Sequence, residues 1–129
     1  MAIVALDHVQ MAMPMGKEDC ARQFYCGILG MIEVPKPAPM ASRGGVWLRV
    51  GSLNLHMGVE VNFIAAKKAH PAFVVDNFEL LINSLESANY NVILDFELQG
   101  VTRFFTKDCF GNRIEIIDDK SPAFAKAIP

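Results

Sequence analysis

The sequence lacks a basic excess. Lysine and arginine number 12 against 14 acids, and the formal net charge is −2. No basic run is available to neutralise a phosphate backbone, so nucleic acid is not expected as a partner. Long apolar runs are also missing. No stretch approaches the ~18–20 residues needed to cross a bilayer, so no membrane partner is expected. The opening MAIVALDHV has no positive segment ahead of a long apolar run, so no secretory leader is expected. Cysteine is sparse: three residues, an odd count, with no CxxC. Cys20 and Cys26 are six apart on an expected helix and point to different faces. A reduced, cytoplasmic setting is the simplest reading.

The chain has 129 residues, 52% hydrophobic and 20% charged. This is the composition of one globular domain, with little room for separate cofactor and substrate domains. A strand is expected at about 3–12, ended by Pro14 and Gly16. Residues 17–29 follow as a helix. Ala21, Phe24, Tyr25, Ile28 and Leu29 form one apolar stripe, Glu18 and Asp19 sit in the first turn, and Gly30 is the stop. A short strand, 31–34, precedes a Pro- and Gly-rich loop. Strands at 46–50 and 53–59 flank Gly51-Ser52, a hairpin signal.

After a linker at 60–69 the pattern restarts. A strand at roughly 69–75 leads to Asp76 and Glu79, spaced like a capping box. Phe78, Leu81, Ile82, Leu85 and Ala88 make a second stripe, with Asn89 as a left-handed end. Strands at 91–95, 101–107 and 113–118 complete the set. The reading is α+β: one domain over 1–129, with modules at 1–60 and 68–120, each β-α-β-β-β. The modules would form a cupped eight-stranded sheet, helices on the convex side.

Strand parity then sorts the polar residues. Val9, Met11 and Met13 oppose His8 and Gln10. Leu53, Leu55 and Met57 oppose Asn54 and His56. Phe73 and Val75 oppose His70, and Ile114 and Ile116 oppose Arg113 and Glu115. A helix packs on the uniformly apolar face. All three histidines and Glu115 therefore lie on the other face, on the first and last strand of each module. Imidazole and carboxylate suit zinc, nickel, iron or manganese, so one divalent ion on His8, His56, His70 and Glu115 is expected. A lone strand histidine is more ordinarily a solvated or hydrogen-bonded residue; the shared placement of all three favours the metal. Asp7 and Glu60 have the wrong parity and read as surface charges. Trp47 and Arg49 share the ligand-bearing parity, as an aromatic wall and an anion clamp. Arg103 begins the seventh strand in the same sense as Phe105, another candidate for substrate contact. The methionines read as core filler. Phe124 and Ile128 could dock on the body or on a partner.

The pieces LDHVQMAMP, FYCGILGMIEVP, GGVWLRVGSLNLHMGVE, HPAFVVDN and RFFTKDCFGNRIEII occur in this order across nearly the whole chain. Together they resemble the vicinal oxygen chelate superfamily of glyoxalase I, fosfomycin-resistance proteins, extradiol dioxygenases and bleomycin-resistance proteins. The resemblance implies metal ligands on the first, fourth, fifth and eighth strands, which are His8, His56, His70 and Glu115. Glyoxalase I proteins usually have glutamate where His56 stands. A metal-dependent enzyme acting on a small oxygenated, metal-chelating substrate is implied, with Glu115 or a metal-bound hydroxide as its base. The alternative is a non-catalytic binding protein of the bleomycin-resistance type. A homodimer is implied under both.

Overall fold

The computed structural model of the chain describes residues 1–125. Ile128 lies outside the described residues. The chain divides into two compact units, Met1–Ala65 and a second beginning at Ala66.

The first unit contains β1 (Val9–Met13), α1 (Glu18–Ala21), β2 (Ile32–Val34), β3 (Val46–Val50) and β4 (Leu53–Val59). Its sheet has the order β1-β4-β3-β2. The second contains β5 (Ala72–Val75), α2 (Phe78–Ser87), β6 (Ile93–Asp95), β7 (Arg103–Lys107), β8 (Arg113–Asp118) and a short α3 (Pro122–Ala125). Its sheet runs β5-β8-β7-β6. In both sheets the first pair is parallel and the others antiparallel. The expected β-α-β-β-β order is therefore present twice, in an α+β fold. No helix among the described residues is long and apolar enough to cross a membrane.

Packing follows the parity. Met13, Leu48 and Leu55 are fully buried, as are Phe24 and Tyr25 of the first helix. The Tyr25 hydroxyl donates to Met11 Sδ at 3.6 Å. In the second unit Leu85 of α2, Phe104, Ile114 and Ile116 are buried. Full burial of one such side chain is worth about 1.5–3 kcal/mol.

Several local expectations change, and His8 and His70 lie just ahead of β1 and β5 instead of on them. The first strand begins at Val9, and Ile3, Val4 and Leu6 are exposed. The parallel register pairs Val9 with Leu55, which sets Asp7 opposite Leu53, where β4 begins, so residues 3–6 have no partner strand. The first helix continues from α1 as a π-helical segment, Arg22–Ile28, in which Leu29 N–H donates to Phe24 O. The wider turn moves Ile28 and Leu29 off the buried stripe. The capping box on Asp76 does not form. Helix α2 begins at Phe78, so Asn77 is its N-cap, without a side-chain cap hydrogen bond. The left-handed ends hold: Gly30 has φ +79° and Asn89 φ +68°.

Candidate functional site

The first unit aligns four side chains on one rung across its sheet. Gln10 of β1 pairs with His56 of β4, His56 with Trp47 of β3, and Trp47 with Val34 of β2. Residues paired across a ladder share a face, and that face is opposite Leu55 and Met57. His8 lies two residues before Gln10. The His56 ring is stacked between two others. Trp47 lies 3.9 Å away at 1°, and His8 lies 4.2 Å away at 20°. Burial, and then the neighbouring His8, push the His56 pKa down, with Asp7 opposing. Neutral imidazole, the metal-binding form, is thereby favoured.

The second unit repeats the rung. Ala72 of β5 pairs with Glu115 of β8, Glu115 with Phe105 of β7, and Phe105 with Ile93 of β6. His70 lies two residues before Ala72. By register, His70 occupies the place of His8, Glu115 that of His56, and Phe105 that of Trp47. Here the two polar groups touch: His70 Nε2 is 3.0 Å from Glu115 Oε1. Glu115 is buried. Its Oε2 accepts from Arg103 Nη1 at 3.1 Å. Arg103 also donates from Nε and Nη2 to Asp95 Oδ1. Burial lowers the Arg103 pKa, but the bonds to Asp95 and Glu115 outweigh it and the net shift is upward.

Each of these end histidines is held by its Nδ1. His8 Nδ1 is 2.9 Å from Asp7 Oδ2, and His70 Nδ1 is 2.8 Å from the Lys68 carbonyl. An Nδ1–H given to an oxygen leaves Nε2 with its lone pair, the tautomer that binds metals. Sequence reading missed both holds. Asp7 is largely exposed, as its parity suggested, yet it still reaches the adjacent ring. A backbone carbonyl such as that of Lys68 leaves no mark in a sequence.

The other candidates fall as follows. Trp47 forms the wall that stacks on His56. Arg49 is exposed on β3, in register with Asn54. Arg103 reaches the face of Glu115 and spends its guanidinium on two carboxylates. Phe105 sits edge-on to His70, with centroids 5.6 Å apart.

The donor chemistry was tested against a divalent ion. With Nδ1–H bonded to the Lys68 carbonyl, the 3.0 Å contact of His70 Nε2 with Glu115 Oε1 is made either through a proton on Nε2, as an ion pair, or beside a bound cation. In the second case the pair fits as two donors of a metal set. No three His, Cys, Asp or Glu side chains among the described residues gather into a metal-holding group.

No protein-family model matches the sequence, and no curated protein matches it. Solved structures do. A glyoxalase family protein from Bacillus anthracis is 44% identical, with a TM-score of 0.87 over 93% of this chain and 98% of that one. Two more distant structures share the fold. A glyoxalase family protein from Enterococcus faecalis has 20% identity and a TM-score of 0.67, covering 91% and 99% of the two chains. A lactoylglutathione lyase from Agrobacterium tumefaciens has 19% identity and a TM-score of 0.66, covering 92% and 96%.

Proposed function

The chain belongs to the glyoxalase family, within the vicinal oxygen chelate superfamily, and from that premise we propose that it is a metal-dependent enzyme acting on a small oxygenated substrate. The observation that carries this reading is the contact of His70 Nε2 with Glu115 Oε1, made while Nδ1 is committed to Lys68. His70 and Glu115, the pair in contact, are the first donors we assign, with His8 and His56 as the further donors, and the ion is zinc, nickel, iron or manganese. A bound divalent ion supplies Lewis acidity toward substrate oxygens.

The remaining work falls to the protein's own groups. The Glu115 carboxylate, positioned by Arg103 at Oε2, is the group that holds the proton removed from the substrate. Trp47 and Phe105 flank the polar pairs and keep bulk water from them. Arg49, exposed on β3, is a cation open to an anionic substrate group, whereas Arg103, the other candidate for substrate contact, is committed to Asp95 and Glu115. Light scattering should give twice the chain mass, since we also read the protein as a homodimer. Its cysteines form no disulfide among the described residues, which fits a reducing cytoplasm.

Elemental analysis of untagged protein, purified without chelator, tests the reading. One divalent ion per chain is expected, with turnover of the methylglyoxal–thiol hemithioacetal as a first assay. His70→Ala and Glu115→Gln should each lower metal affinity about 10-fold or more. A folded protein that takes up no divalent ion ends it.

One contact favours a second reading. Arg103 already satisfies half of the Glu115 carboxylate, as a metal-free binding protein of the sequestering kind would require. Ligand binding unchanged by chelator would select that reading.

A further inference from the structure

The second unit carries a groove of about 700 Å³, a volume typical of small-ligand sites. It lies on the face of Glu115, starting at Phe105 on the same rung and extending to the next, where Lys107 pairs with Arg113. Tyr90, Ile93 and Phe105 give it apolar walls, and Lys67, Lys107 and Arg113 line it with positive charge.

Its two acids are already engaged. Asp95 accepts two bonds from Arg103. Asp108 is buried, and its carboxylate accepts from the backbone N–H groups of Phe110 and Asn112 and from Asn112 Nδ2. Among the described residues no carboxylate forms an ion pair with Lys67, Lys107 or Arg113. Lys107 and Arg113 stand directly opposite each other in the β7–β8 ladder. Like charges so placed repel, and an anion between them removes the repulsion. The Arg113 guanidinium lies 4.3 Å from the Phe105 ring centroid. A guanidinium over a ring is held by cation–π attraction, and its N–H donors can still fork a carboxylate.

We propose that this groove binds the carboxylate of a small organic acid with a flat apolar body. The carboxylate lies at Arg113 and Lys107, and the body lies along Phe105, Ile93 and Tyr90. Because the groove adjoins Glu115, the inference extends the function proposed above by naming a substrate class; the anion grip itself needs no metal.

Titration calorimetry on chelator-treated protein tests it, with benzoate, benzamide and inorganic phosphate as probes. Benzoate should bind, weakening as salt rises, and benzamide and phosphate should bind at least 10-fold less well. Arg113→Gln and Lys107→Gln should each weaken benzoate about 10-fold at unchanged circular dichroism. Lys17→Gln, an equal charge change in the first unit, should leave it unaltered. Benzamide or phosphate matching benzoate overturns the proposal, as does full affinity in folded Arg113→Gln and Lys107→Gln proteins. Benzoate binding by a protein that takes up no metal refutes the metalloenzyme reading alone. A metal-loaded protein blind to benzoate refutes this one alone.

Discussion

At the scale of single residues, Gly45 shows how little tolerance the first unit has. Its φ is +80°, and a Cβ there would overlap the Met57 carbonyl group. Its N–H donates to Glu18 Oε2 at 2.8 Å, tying the chain before β3 to the first helix. Gly45→Ala combines backbone strain with a clash against a neighbouring strand, so it should cost on the order of 3 kcal/mol in chemical denaturation. Glu18 itself has a lowered pKa, first because of the Gly45 N–H. A carboxyl whose folded value is lowered stabilises the fold above its ordinary range and loses that contribution as pH falls through the folded value. Wild-type stability should therefore drop more steeply than that of Glu18→Gln as pH falls through and below the ordinary glutamate range. Parallel acid limbs would show that the bond contributes nothing. Gly45 and Glu18 are far apart in sequence, and no local pattern announces their bond.

At the scale of elements, the hydrophobic pattern located every strand and both main helices, and it placed β3, β4 and β8 at their observed bounds. The misses are at ends, where a neighbour decides. Residues 3–6 alternate well enough for a strand, but the β1–β4 register carries them past Leu53, where β4 begins. Asp76 and Glu79 have the spacing of a capping box, but the helix starts at Phe78. Asp76→Ala should consequently change stability by less than about 0.5 kcal/mol, as at an ordinary surface position. A capping aspartate would cost about 1 kcal/mol, and thermal melts distinguish the two values. The π-helical segment had no sequence signal, since a π turn is selected by packing and not by residue type.

At the scale of the whole molecule, two units repeat one topology and place corresponding side chains on corresponding rungs. His8 and His56 belong to one, His70 and Glu115 to the other. If all four serve one ion, His8→Ala should lower the metal content of the protein as surely as His70→Ala does. Full metal occupancy in His8→Ala would remove the first unit from the donor set. The sequence by itself determined the repeat, the buried faces and the face on which these four residues lie, because strand parity is a local property that burial reads directly. Tertiary structure decided what each polar group touches: the stacking of His56, the hold of Lys68 on His70, and the grip of Arg103 on Glu115. Such contacts join residues distant in the chain over about 3 Å, and hydrogen bonds are lost within a fraction of that distance, so only the packed fold can set them.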